Sequence, residues 1–95
     1  MTPVDLPVSD ILRVANLHGA LTVRVFGSRA RGDSRPDSDL DLLVTMEPRR
    51  SLLDLVAIKQ DLQDLLHYPV DVVTEGGLSP YLRDRVLAEA RPLTA

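Results

Sequence analysis

The spacing of apolar positions along the chain predicts three helices and three strands. A helical repeat of about 3.6 residues covers residues 9–18, residues 51–66 and the segment from Pro80 to just before Pro92. Runs rich in Leu and β-branched residues predict strands over residues 21–26, 39–46 and 70–73. The resulting order of helix, strand, strand, helix, strand, helix predicts an α+β fold: a small mixed β-sheet, of three or slightly more strands, covered by helices.

Polar residues mark where these elements begin and end. Residues 27–38 are rich in Gly, Ser, Asp and Arg and predict a turn region that contains one short helical turn at residues 28–31. Ser51 and Asp54 have the spacing of a capping box at the start of the long middle helix. Ser79 followed by Pro80 predicts the start of the last helix, because proline is favoured at the first helical position.

Length and composition limit the classes of protein to consider. A chain of 95 residues is expected to form a single domain, residues 1–95, and 44% hydrophobic with 26% charged residues is typical of a globular protein. The net charge of −3 argues against stable binding to nucleic acid, and three aromatic residues are too few for a base-stacking platform. The oligomeric state is not indicated by any of these features.

The location of the protein is predicted from what the sequence lacks. There is no cysteine, so neither disulfide bonds nor thiolate metal sites are expected. The first ten residues carry acids and prolines where a signal peptide would have basic and apolar stretches. No apolar run approaches the roughly 20 residues needed to span a membrane, so we expect no membrane association and a cytoplasmic location.

Three aspartates in predicted strands are the first candidates for chemistry. Asp39 and Asp41 are two residues apart, so on a strand their side chains point to the same face. Asp71 lies between valines in the next predicted strand. Aspartate is depleted in strands and an unpaired buried charge is costly, so such a group indicates a compensating cation. Oxygen ligands of this kind suit Mg²⁺ together with substrate phosphates.

The turn that follows the first strand offers donors for phosphate groups. Gly27 and Ser28 stand where the strand ends, and a glycine there lets backbone N–H groups approach phosphate oxygens closely. Arg29 and Arg31 follow, and an arginine can hold phosphate through two parallel hydrogen bonds. Acids that bind metal ions and donors that bind a triphosphate are the parts needed for phosphoryl-group displacement.

The complete pattern resembles a known family. Residues 27–41 read GSRARGDSRPDSDLD, which is similar to the signature of the DNA polymerase beta type nucleotidyltransferase superfamily: Gly-Ser, a gap of ten residues, then Asp-x-Asp. The short chain and the form of the motif resemble the minimal nucleotidyltransferase (MNT) domains, which are commonly encoded beside HEPN-domain toxins. The resemblance covers most of the chain and implies the polymerase-beta-like nucleotidyltransferase fold.

The resemblance also implies roles for individual residues. Asp39 and Asp41 match the metal-binding pair of the family. Asp71 matches the third carboxylate, which helps hold one metal and activate the acceptor hydroxyl. Gly27 with Ser28 matches the triphosphate contact. Arg29 and Arg31 are further candidates for nucleotide binding, from their position beside the motif. The implied cofactors are two Mg²⁺ ions, with ATP or another nucleoside triphosphate as the substrate.

Three functions follow as hypotheses. The first is an enzyme that transfers AMP from ATP to a tyrosine hydroxyl of a partner HEPN toxin and so acts as an antitoxin. The second is a catalytically silent antitoxin that neutralises its partner by binding alone; Asp39→Asn and Asp41→Asn would then still neutralise the toxin. The third is a nucleotidyltransferase for a small-molecule acceptor, which a screen of acceptors by mass spectrometry would identify.

Overall fold

The computed structural model describes residues 6–33, 35 and 38–94. Ser34, Pro36 and Asp37 of the predicted turn region, and both ends of the predicted 1–95 domain, lie outside the described residues. The elements, in chain order, are α1 (Val8–Leu17), β1 (Ala20–Phe26), α2 (Ser28–Arg31), β2 (Leu40–Met46), α3 (Leu52–Leu66), β3 (Val70–Val73), a 3₁₀ turn (Glu75–Gly77), α4 (Pro80–Glu89) and β4 (Arg91–Pro92). All six predicted helices and strands are present, and so is the short helical turn.

The strands form one mixed sheet in the order β3-β2-β1-β4. The β2 strand pairs antiparallel with β1 and parallel with β3, and β1 also pairs antiparallel with β4. The parallel pair is possible because α3 connects β2 to β3 as a crossover helix. The α+β fold class with a small mixed sheet is therefore confirmed, and the predicted three strands are extended by a fourth.

The hydrophobic core lies between the sheet and the helices α1 and α3. Its fully buried members come from each of these layers and include Ile11 of α1, Val25 of β1, Leu40 and Leu42 of β2, and Ile58 and Leu62 of α3. Every second residue of β2 faces this core, which is the two-residue period expected of a strand. The core thus fixes the face of β2 on which Asp41 lies.

The predicted start of α3 is confirmed in detail. The Ser51 hydroxyl accepts a hydrogen bond from the Leu53 N–H, and the Asp54 carboxylate accepts one from the Ser51 N–H. Two large side chains in the first turns of helices lie at the surface: Leu52 of α3 is 73% exposed and Tyr81 of α4 is 95% exposed.

No helix within the described part of the chain is both long enough and apolar enough to span a membrane. The longest is α3, with 15 residues.

Candidate active site at the end of the parallel strand pair

Asp41 lies near both Asp71 and Asp39 where β2 and β3 begin. Asp41 and Asp71 are direct partners in the parallel register of these strands, so their side chains stand next to each other on one face of the sheet. Asp39 comes directly before β2, which begins at Leu40 and so one residue later than predicted. Asp39 and Asp71 are exposed, Asp41 is half-buried and Leu43 is fully buried. Asp41 therefore lies at the boundary between solvent and the packed interior.

The position of Asp41 has an electrostatic consequence. Burial raises the pKa of Asp41, because a partly desolvated carboxylate loses hydration, and the negative charges of Asp71 and Asp39 raise it further. Glu89 adds a smaller effect in the same direction, whereas Arg31 opposes it. The site therefore carries more negative charge than its own arginine neutralises.

Gly27 connects the two halves of the motif in space. Its backbone has φ +76°, a value that favours glycine, and a Cβ atom added there would collide with Oδ2 of Asp41. Gly27 is thus the residue that lets the turn after β1 lie directly against the Asp41 carboxylate. Ser28, the next residue, begins α2 and is half-buried beside this contact.

Arg29 has a position that the sequence did not indicate. Its side chain is buried at 5% exposure, and its Nε and Nη2 atoms donate to the Ser38 carbonyl oxygen at 3.1 and 2.7 Å. The guanidinium group also lies over the ring of Tyr68, 4.2 Å from the centroid. Arg29 therefore holds the backbone immediately before Asp39. The predicted contact of Arg29 with phosphate has no support in this arrangement and stays a prediction.

Arg31 remains at the surface beside the acids. Its Nη1 atom donates to Glu89 Oε1 at 3.1 Å and its Nε atom to Asp33 Oδ2 at 3.3 Å. A guanidinium group has five N–H donors, so these two bonds leave donor capacity for a phosphate group. The predicted role of Arg31 in nucleotide binding is compatible with this geometry.

Glu89 is the residue of this region that sequence reasoning missed. It is the last residue of α4, and its Oε1 atom accepts a hydrogen bond from the Gly27 N–H at 2.7 Å. The two residues are 62 positions apart in the chain. No local pattern in the sequence could have indicated the contact, because it depends on how α4 packs against the turn.

The acids fit a divalent cation by their chemistry. They are hard oxygen donors, and the pKa of Asp41 is raised by burial and by the charges of its acidic neighbours, a repulsion that a nearby cation would relieve. Among the described residues, however, no three acidic or histidine side chains already stand together in a geometry that would hold a metal ion. Asp39, Asp41 and Asp71 stay the predicted ligands of the metal ions, and substrate phosphates would complete the ligand set.

A family comparison agrees with this geometry. The family model described as a nucleotidyltransferase domain matches residues 10–93, which include all the motif residues and Glu89. The chain belongs to the nucleotidyltransferase domain family. The likeness to a solved minimal nucleotidyltransferase, described below, confirms the polymerase-beta-like fold that the motif implies.

Two curated relatives carry related names. This nucleotidyltransferase is 41% identical over 80 residues to a protein of Methanocaldococcus jannaschii that is provisionally named a protein adenylyltransferase; the match covers 84% of this chain and 86% of the relative. It is 38% identical over 71 residues to the protein adenylyltransferase MntA of Thermococcus cleftensis, covering 75% and 72% of the two chains.

Solved structures show the same fold. A provisionally assigned minimal nucleotidyltransferase has a TM-score of 0.79 at 53% identity, over 90% of this chain and 88% of that one. A toxin-antitoxin structure with AMP-PNP has a TM-score of 0.80 at 22% identity, over 95% and 74% of the two chains. A complex of a tri-AMPylated HEPN toxin of Shewanella oneidensis with an MNT antitoxin has a TM-score of 0.69 at 19% identity, over 93% and 69%. The last two likenesses concern the fold alone.

Proposed function

We propose that this nucleotidyltransferase transfers AMP from ATP to a tyrosine hydroxyl of a partner HEPN toxin and thereby acts as an antitoxin in the cytoplasm. The observation that carries the proposal is the pairing of Asp41 with Asp71 in register, directly beside the Gly27 turn. Neighbouring carboxylates next to the predicted donors for a triphosphate are the arrangement that nucleotidyl transfer needs, which supports the proposal.

The site residues have separate roles in the proposed reaction. Asp39 and Asp41 would hold two Mg²⁺ ions, and Asp71 would help to hold one of them and activate the acceptor hydroxyl. Ser28 and Arg31 bind the triphosphate of ATP at the turn beside Asp41. When bound, Mg²⁺ neutralises charge on the phosphate oxygens and on the attacking oxygen. Asp71 accepts the proton of the acceptor hydroxyl, and the hydroxyl oxygen forms a bond to the α-phosphorus of ATP. The bond between the α-phosphorus and the oxygen that bridges to the β-phosphate breaks, and pyrophosphate leaves.

The assignment of a protein as the acceptor rests on the relatives. Two of them are named protein adenylyltransferases, at 41% and 38% identity. One structure that contains a chain of the same fold also contains a toxin with AMP groups attached. Another contains AMP-PNP, an ATP analogue. These names support ATP as the nucleotide and a HEPN toxin as the partner.

Transfer of labelled AMP tests the proposal. The chain is incubated with ATP labelled on the α-phosphate, Mg²⁺ and the HEPN protein encoded beside it, and the toxin is then analysed by gel and mass spectrometry. We expect label on a toxin tyrosine with the unaltered chain and with Asp64→Asn, which removes an exposed acid from α3. We expect none with Asp39→Asn or with Asp41→Asn.

The other outcomes identify different functions. Toxin that is neutralised in cells by Asp39→Asn and Asp41→Asn as well as by the unaltered chain would show an antitoxin that acts by binding alone. Label that appears only on an added small molecule would show a different acceptor class. Either result would overturn the proposed transfer to the toxin.

A further inference from the structure

A carboxylate outside the motif connects the two ends of α2. A single oxygen atom of Glu89, Oε1, accepts hydrogen bonds from the Gly27 N–H at 2.7 Å and from Arg31 Nη1 at 3.1 Å. Gly27 directly precedes α2 and Arg31 is its last residue. The Glu89 side chain is only 20% exposed, so both bonds are partly shielded from water. Glu89 thus clamps the segment from Gly27 to Arg31.

The segment needs such a clamp because of its length. Only four residues form α2, and the first turn of a helix costs more conformational entropy than its hydrogen bonds recover. Ties to the rest of the protein must therefore fix its shape. Arg29 provides one tie, through Ser38 on the β2 side, and Glu89 provides the other, from α4.

We propose that Glu89 is a positioning residue for the triphosphate: by holding Gly27 and Arg31 at the two ends of α2, it keeps Ser28 and the remaining donors of Arg31 in the arrangement that binds the phosphate groups. This inference rests on the proposed function, because it assumes that the turn binds a nucleoside triphosphate. It assigns a role to α4, an element that carries none of the motif residues. Arg31 keeps donor capacity while clamped, since Glu89 and Asp33 take two of its five N–H groups.

A competing interpretation makes the opposite prediction. Glu89 is an anion on two of the predicted triphosphate contacts, so it could instead compete with the nucleotide for these donors. Removing a competitor would strengthen nucleotide binding, whereas removing a clamp would weaken it. The sign of the change in affinity therefore separates the two.

Titration calorimetry with AMP-PNP and Mg²⁺ measures that sign on the full chain. We expect Glu89→Ala to raise the dissociation constant about tenfold, which corresponds to roughly 1.4 kcal/mol. Glu89→Gln should fall between Glu89→Ala and the unaltered chain, because glutamine still accepts from the Gly27 N–H but loses the ion pair with Arg31. The control is Asp84→Ala, which removes an exposed acid from the same helix and should change nothing.

Each result decides one question. Thermal melts confirm that each variant is folded at the titration temperature, so that a purely structural loss cannot produce the graded order of affinities. Equal or tighter binding by Glu89→Ala would overturn the positioning role. An unaltered chain that binds no AMP-PNP would instead contradict the proposed function itself, and the inference about Glu89 would fall with it.

Discussion

Acidic side chains at two places in this small protein, the start of α3 and the start of β2, have opposite electrostatic environments. At the start of α3, the Asp54 carboxylate accepts a hydrogen bond from the Ser51 N–H at 2.9 Å and one from Arg50 at 3.3 Å. The hydrogen bond from Ser51 is the main cause that lowers the pKa of Asp54. At the start of β2, burial and the neighbouring Asp71 raise the pKa of Asp41.

The difference separates acids that stabilise the fold from acids that are available for binding. The ionised form of Asp54 is favoured by folding, because its partners are in place in the native structure. The ionised form of Asp41 is disfavoured by folding, because its carboxylate is partly buried and its partner in the strand pair is another carboxylate. Acids held together against their own repulsion are typical of functional sites.

The largest expected effect is on transfer. Asp41→Asn should reduce the rate of AMP transfer by at least about a hundredfold, since even residues that only support metal ligands cost 10- to 100-fold when removed. Asp54→Asn, the matched change at the start of α3, should leave the rate within about twofold at a temperature where the protein is folded. Initial rates with labelled ATP measure both. Equal losses in the two variants would remove the distinction between the two groups of acids.

The next largest effect is on stability, through the Arg29 side chain that holds the backbone before Asp39. Arg29→Lys should lower the melting temperature by roughly 10 °C, because a lysine cannot reproduce the forked bond to the Ser38 carbonyl and hydrogen bonds to charged groups contribute about 2 kcal/mol. Circular dichroism melts measure the change. A variant that melts normally yet binds AMP-PNP poorly would show that Arg29 contacts phosphate after all, as the sequence suggested.

A smaller effect is expected at the start of α3. Asp54→Ala should lower the melting temperature by a few degrees at neutral pH through loss of the capping box. The folded pKa of Asp54 lies below its ordinary value of about 3.9, so its stabilisation is fully present above pH ~4. It is lost as the pH falls through the lowered folded pKa. Melts recorded along a pH series should therefore converge for the two proteins in acid.

The smallest effect has the opposite sign. In EDTA at neutral pH, Asp41→Asn should raise the melting temperature by about one or two degrees, because it removes a carboxylate whose ionisation opposes folding. Addition of Mg²⁺ with AMP-PNP should stabilise the unaltered chain more than this variant. A lower melting temperature for Asp41→Asn in EDTA would show that Asp41 stabilises the fold, as Asp54 does.

Much of the fold could be predicted because its signals are local. The spacing of apolar positions predicted the bounds of α3 and β3 to within one residue. The capping box was predicted from the spacing of Ser51 and Asp54. The meeting of Asp41 and Asp71 depended on their two strands being neighbours in the sheet, as consecutive strands often are. Strand β4 was missed, because two residues that include Pro92 carry no strand pattern.

The surroundings of the site could not be predicted, since they depend on contacts between distant segments. Nothing in a run of arginines distinguishes Arg29, which turns inward to Ser38, from Arg31, which stays at the surface. The bond between Glu89 and Gly27 depends on the packing of α4 against the turn that follows β1. The motif therefore indicated the chemistry, whereas the structure was needed to show what holds the motif in place.

The most direct test of the account is to locate the divalent cation. Mn²⁺, a paramagnetic substitute for Mg²⁺, is added with AMP-PNP to the isotope-labelled chain, and NMR spectra show which backbone amides broaden. The account predicts broadening centred on Asp39, Asp41 and Asp71 and its loss in the double variant Asp39→Asn with Asp41→Asn. Broadening centred elsewhere, or equal broadening in the double variant, would contradict it.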